Sequence, residues 1–242
     1  MVYWNNFKVE NGQSAALNLS NEQIQVLLTG KFGDGCFVQT AYSVYYSACS
    51  IYEEYIDFKA SLLGDLFHHK TTVLNKGFKE NNIFRLYTGT DPRTAFICDE
   101  SIEDSFARMD GLGLALWVYD DGSLHKTKHF YQINTQKYSR EVLEDIFVPG
   151  LKSKFDITAK TTAERKKDGR EFWYLRISKY EGSNIISDAL SKYPVNCYNY
   201  KVWSSETIQK WSRLQEESKS AGIDLSSLDN RTLSLMLKKI AV

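Results

Sequence analysis

Two apolar runs at helical spacing dominate the pattern of hydrophobic and polar positions, and both stop at an aspartate followed by glycine. The first is Ile24-Gln25-Val26-Leu27-Leu28-Thr29-Gly30-Lys31-Phe32-Gly33-Asp34-Gly35. The second is Gly113-Leu114-Ala115-Leu116-Trp117-Val118-Tyr119-Asp120-Asp121-Gly122-Ser123. Ser20 stands where an N-cap belongs, with Glu22 and Gln23 just after it, so the first run predicts a helix over 21–33. The second run predicts a helix over 112–120 that Gly122 releases. Behind the first helix the period shortens toward two. Residues 36–40 and 43–47 are rich in β-branched and aromatic side chains and predict a hairpin. Residues 66–75 and 83–90 predict a second hairpin around Lys76-Gly77. Between the hairpins, Ile51, Tyr55, Phe58 and Leu62 recur at helical spacing over 51–63. A short segment, 93–109, closes this half, and the polar residues 1–19 precede it with Tyr3, Trp4 and Phe7 as packing groups.

The same order returns after the second run. Residues 123–136 predict a hairpin containing Phe130-Tyr131-Gln132-Ile133-Asn134-Thr135-Gln136. Ser139 caps a helix in which Arg140, Glu141 and Val142 lead into Leu143, Ile146 and Phe147. Residues 157–162 and 172–178 alternate as strands around Glu164-Arg165-Lys166-Lys167-Asp168-Gly169-Arg170, a turn with Asp-Gly chemistry. A helix over 184–193 stops at Pro194. Setting Asp34 on Asp121 also sets Gly35 on Gly122, at a separation far beyond solenoid periods. The chain therefore reads as two similar halves, 1–110 and 111–203, with a helical extension at 204–242 made of two short helices, 206–218 and 228–240.

Composition changes this picture only slightly. A chain of 242 residues with 43% hydrophobic and 25% charged residues can bury a real core. The formal net charge is zero, which is not the basic balance common among nucleic-acid binders. The distribution is uneven, however: residues 152–179 are basic, while 99–110 and 206–217 lean acidic. A basic face on a neutral protein can still bind a phosphate backbone. Cys36, Cys49, Cys98 and Cys197 form no CxxC pair, so they read as small buried hydrophobes in a reducing compartment. The start of the chain lacks the pattern of a signal peptide, and no apolar run is long enough to span a bilayer. The expectation is a soluble, intracellular protein; the sequence leaves its compartment open, with an organellar, bacterial or phage-encoded context among the alternatives.

The candidate chemistry lies at the ends of the two runs. Carboxylates at a helix C-terminus oppose its dipole, and a divalent cation is the usual reason to place them there. An EF-hand reading of Asp120-Asp121-Gly122-Ser123 fails for want of the ligand spacing and the final glutamate. His68-His69-Lys70, His125 and His129 have no partner cluster and read as surface or DNA-facing groups.

The segment Leu114-Ala115-Leu116-Trp117-Val118-Tyr119-Asp120-Asp121-Gly122-Ser123 closely resembles the second signature helix of the single-chain LAGLIDADG homing endonucleases. Leu28-Thr29-Gly30-Lys31-Phe32-Gly33-Asp34-Gly35 resembles the first more loosely, with Gly30 one position nearer the aspartate than in many members. The resemblance continues through Ile133-Asn134-Thr135-Gln136, Leu151-Lys152-Ser153-Lys154-Phe155 and Tyr200-Lys201. It implies an α+β fold of two pseudo-symmetric αββαββα halves whose curved antiparallel sheets form a DNA-binding saddle. Small residues, Gly30, Gly111, Gly113 and Ala115, would let the two signature helices approach closely. Members usually carry one or two fuller helices where 93–109 here looks abbreviated.

The resemblance also implies a function: site-specific cleavage of both strands of a long DNA target by a monomer. Asp34 and Asp121 would hold two or three Mg²⁺ ions between the halves, each aspartate acting on one strand, with the backbone carbonyls of Gly33 and Asp120 completing the coordination. Lys201 matches the family lysine that polarises water or phosphate; the first half has no clear counterpart, and Lys70 and Lys76 are the nearest candidates. Gln39 and Gln132 are candidates for orienting water. The DNA-facing candidates are Gln39, Tyr45, His69, Lys70, Thr71, Arg85, Lys126, Lys128, Gln132, Lys160, Arg165, Arg170, Arg176 and Ser178. The extension reads either as a cap or as a DNA-contacting tail. Two rival readings use the same scaffold: an intron maturase acting on its own intron RNA, and a DNA-binding regulator that does not cleave. A metal-binding fold without nucleic acid is a third.

Overall fold

Ser20 begins the first helix as its sequence predicts. Its hydroxyl accepts from the Gln23 amide at 3.2 Å, and the Gln23 side chain accepts from the Ser20 amide at 2.8 Å, a closed capping box. The computed structural model describes residues 19–40, 44–75, 81–125 and 130–240. The chain divides into two compact units, one running up to Asp120 and taking in Val195–Cys197, the other holding Asp121–Pro194 and the residues from Tyr198 onward.

The first unit contains α1 (Asn21–Phe32), β1 (Gly35–Gln39), β2 (Val44–Ser50), α2 (Glu53–Leu63), β3 (Phe67–Asn75), β4 (Asn81–Thr88), α3 (Pro92–Asp99), α4 (Ile102–Arg108) and α5 (Gly111–Asp121) up to Asp120. Its four strands form an antiparallel sheet in the order β1-β2-β4-β3. Both expected hairpins are therefore present, joined side by side through β2 and β4. Ala48 lies opposite Leu86 and Phe37 opposite Tyr46, so these residues share the face that the helices cover. Val26, Leu27, Leu28, Phe32, Ile56, Leu63, Ile97, Leu116 and Trp117 complete the core, with the rings of Phe32 and Trp117 6.0 Å apart.

Two expectations for this unit are corrected. The buried stripe of α2 is Tyr55, Ile56, Lys59 and Leu63, whereas Ile51 lies outside the helix and is 52% exposed. The covered face is thus turned by about one position from Ile51, Tyr55, Phe58 and Leu62, because a lysine occupies one of its places. The segment 93–109 holds two complete helices rather than an abbreviated stretch. Asp91 caps α3 ahead of Pro92, Ser101 caps α4, and the Lys31 ammonium donates to the carbonyls of Ile97, Cys98 and Glu100 at the end of α3.

The second unit contains β5 (Gly122–His125), β6 (Phe130–Asn134), α6 (Arg140–Val142), a π-helical turn over Leu143–Phe147, α7 (Val148–Phe155), β7 (Lys160–Arg165), β8 (Glu171–Ile177), α8 (Tyr180–Lys192), the part of a 3₁₀ helix (Asn196–Lys201) from Tyr198 onward, α9 (Ser205–Ser220) and α10 (Asn230–Lys239). Its sheet has the order β5-β6-β8-β7, the same as in the first unit. Tyr131, Ile133, Leu175 and Ile177 share the buried face. Ile157 is buried but precedes the strand, because Asp156 adopts a left-handed conformation at φ 56° to end α7. The helix expected over 184–193 starts earlier, at Tyr180, where Gly182 packs against Ile177 and Ile157.

The extension is packed. Trp203 and Trp211 are buried with Tyr180, at ring separations of 5.9, 5.4 and 6.4 Å, and Leu214, Leu233 and Leu237 are buried with them. Four exposed or half-exposed cysteines correct another expectation: Cys36 and Cys49 are exposed, Cys98 and Cys197 intermediate.

Candidate active site

The first candidate aspartate follows α1 directly. Gly33 closes that helix, its N–H donating to the Thr29 carbonyl at 2.7 Å, and Asp34 stands exposed in the turn before β1. The glycines on either side are required by packing. A methyl group on Gly30 would collide with the ring of Tyr46, and one on Gly35 would collide with that ring and with the backbone of Gly30. This corrects the expected role of Gly30, which makes room for Tyr46. Gly111 has open space around it, while Gly113 is the glycine that lies against α1, at the side chain of Gln25. Gln25 in turn accepts from the Asp110 amide at 3.1 Å and donates to the Arg108 carbonyl at 3.0 Å.

Around Asp34 the first unit assembles a buried polar cluster that sequence reasoning missed. Lys59 donates to both carboxylate oxygens of Asp120, at 2.7 and 2.8 Å, and the two side chains are 1% and 2% exposed. The Tyr55 hydroxyl lies 2.7 Å from Asp120 Oδ1, and its ring lies 4.7 Å from the Lys59 ammonium. Burial alone would lower the Lys59 pKa, but Asp120, Tyr46 and Asp34 together raise it, so the group stays an ammonium. Tyr46 is buried with no hydrogen-bond partner for its hydroxyl, and burial pushes its pKa up to about 12. Partial desolvation of its sulfur, and then the charge of Asp34, raise the pKa of the Cys49 thiol. The signal for Lys59 was present in the sequence: Tyr55, Lys59 and Leu63 are spaced four apart on one helix face.

In the second unit Asp121 is half-buried ahead of Gly122. The Tyr138 hydroxyl titrates above its ordinary range, through burial first and then the charge of Asp121. Lys201 is buried, 4% exposed. Its ammonium lies 4.4 Å from the Tyr198 ring, and its carbonyl accepts from the Tyr131 hydroxyl at 2.5 Å.

Strand register sorts the remaining candidates by face. In the first sheet, Tyr45, His69, Thr71 and Arg85 lie on the face away from Leu86. His69 stacks on Tyr87 at 4.7 Å. Lys70 is opposite Leu86, on the helix-covered face, and is paired with Glu53 at 2.7 Å and Asp57 at 2.6 Å. Gln39 is opposite buried Val44 and shares its face. In the second sheet, Gln132, Lys160 and Arg176 line up on the open face, with Arg176 over the Phe130 ring at 4.1 Å. Arg165 shares the face of Glu171 and pairs with it at 3.3 Å, while Arg170 pairs with Asp168 in the turn. Ser178 directly follows β8. Lys76, Lys126, Lys128 and His129 lie outside the described residues, as do Tyr3, Trp4 and Phe7.

The chain is similar to known proteins in family and in fold. The profile of the LAGLIDADG DNA endonuclease family matches residues 32–185. The homing endonuclease I-WcaI bound to its DNA recognition sequence superposes with a TM-score of 0.63 at 15% identity, covering 83% of this chain and 97% of that one. I-DmoI in complex with DNA and Mn gives a TM-score of 0.46 at 14% identity, covering 71% of this chain and 98% of that one. No curated protein sequence matches. The fold is thus α+β, built on two antiparallel four-stranded sheets of one order, and among the described residues no helix is long and apolar enough to cross a membrane.

Proposed function

We propose, from the premise that the chain belongs to the LAGLIDADG DNA endonuclease family, that it makes a double-strand break at a long, specific DNA target by divalent-metal-dependent hydrolysis. The observation that carries this reading is the delivery of Asp34. The helix before it is buried, the aspartate itself is exposed, and tight glycines hold its turn against Tyr46. Asp34 and Asp121 each supply one hard carboxylate, and the carbonyls of Gly33 and Asp120 precede them in the chain. Among the described residues no cluster of three or more His, Cys, Asp or Glu side chains is present. Hard carboxylates fit Mg²⁺, which keeps several waters and binds through one or two carboxylates and substrate phosphates. When bound, such ions supply an activated water and neutralise charge on the phosphate.

The chain's own residues do the rest. Asp34 and Asp121 would hold the ions, one serving each strand. Lys201, buried beside Tyr198, is a fixed positive charge for a phosphate oxygen or the attacking water. Arg85, Arg176 and Gln132 have the donors that read base edges from an open sheet face, and Lys160 holds a phosphate. The partner is double-stranded DNA, and the active form is a monomer.

The test is incubation with a randomised library of DNA targets and Mg²⁺, sequencing the cut ends, beside Asp34→Asn and Asp121→Asn. Cleavage should be lost in both variants. Cleavage that survives both substitutions overturns the reading. Failure to cut any target, with accelerated splicing of an intron RNA, favours the maturase.

A further inference from the structure

The two acidic motifs differ at the position just before the shared aspartate. With Asp34 set on Asp121, Gly33 falls on Asp120. The second motif therefore carries an extra carboxylate, and it is this one that is buried. Both oxygens of Asp120 are taken by Lys59, and Oδ1 also lies 2.7 Å from the Tyr55 hydroxyl. The Tyr55 hydroxyl lies 3.2 Å from the Leu116 carbonyl as well, so the grip reaches back one turn along α5. A glycine at the matching place in the first motif can be held by no such grip. The contacts run from one covered face of α2 to the last turn of α5, whose final residue is Asp121.

We infer that Lys59, with Tyr55, is a positioning residue for the second motif: it fixes the end of α5 through the Asp120 side chain and so sets the backbone from which Asp121 projects. Buried and fully hydrogen-bonded, the Asp120 carboxylate is unavailable as a metal ligand, and the residue acts on the site through its main chain. Small displacements of a reacting group cost rate steeply, so an anchor one residue from the metal-holding carboxylate acts on rate even though it touches neither substrate nor metal. Because the anchor exists at one motif, its loss is felt unequally by the two strands. This inference rests on the proposed nuclease activity, in which each aspartate serves one strand.

The experiment uses the full chain and a target recovered from the library, with the two strands labelled differently, so that a rate constant is read for each. Lys59→Met alone leaves a buried carboxylate unpaired and risks misfolding. Lys59→Met with Asp120→Asn is therefore the informative variant, since it removes both charges and keeps the acceptor for Tyr55. Circular dichroism and a thermal melt establish that it is folded. The expected result is a ratio of the two strand rates shifted by roughly 10- to 100-fold from wild type, with nicked DNA accumulating. A merely structural role would lower the active fraction and slow both strands together. A folded double variant whose strand ratio matches wild type overturns the inference while leaving the nuclease reading standing. A wild-type protein that cuts neither strand overturns both.

Discussion

Lys59 and Asp120 show how much a single residue pair can depend on its surroundings. Each charge is withdrawn from water, which is costly, and the pair is stable because each is the other's hydrogen-bond partner. Lys59→Met should cost about 3–5 kcal/mol in urea unfolding, and adding Asp120→Asn should recover most of that loss. The glycines allow a sharper contrast. Gly30→Ala drives a methyl group into Tyr46 and should destabilise by about 1–3 kcal/mol, whereas Gly111→Ala meets open space and should be neutral or stabilising. Tyr46 also sets an alkaline limit. Its hydroxyl is protonated in the folded protein up to about pH 12 but ionises near 10.0 once unfolded. The folded state then binds the extra proton, so stability present below pH 10 declines through that window. A Tyr46→Phe protein should show a shallower fall in its urea midpoint over the same range.

The regular elements were largely legible in the sequence, and the exceptions have physical causes. The capping box at Ser20, the hairpins and the two acidic helix ends were marked by local chemistry that acts over a few residues. The face of α2 is hidden from the sequence because a lysine at a covered position looks polar until its partner, sixty-one positions on, is in place. α8 starts earlier than the local pattern predicts because Tyr180 packs against tryptophans of the extension, which no local pattern announces. Lys70 looked like a DNA contact by charge, yet strand register turns it toward Glu53 and Asp57. The extension belongs to its unit by packing: Trp211→Ala should destabilise by about 3–5 kcal/mol, seen as a lowered melting temperature.

For the molecule as a whole, a formal net charge of zero means that DNA binding must rest on where the cations face. Lys160 lies on an open sheet face and Lys70 on a covered one. In anisotropy titrations over a range of salt, Lys160→Ala should reduce the slope of log affinity against log salt by about one phosphate contact, and Lys70→Ala should leave it unchanged. Equal slopes for the two variants would show that the face assignment does not govern binding. Duplication was readable from the paired motifs, whereas the division of the chain into units was not, because it depends on a return of the backbone.

That return limits how the protein can be recombined. Val195–Cys197 belongs with the first unit although the chain on either side of it belongs with the second. The Glu54 carboxylate explains why: it accepts from the Asn196 and Cys197 amides at 2.9 and 3.0 Å. A chimera assembled by a single crossover near Asp120 would strip Glu54 of its native acceptor role and hand it a foreign backbone. Swapping halves with a relative therefore requires three junctions, with the short returning stretch transplanted alongside the half that grips it.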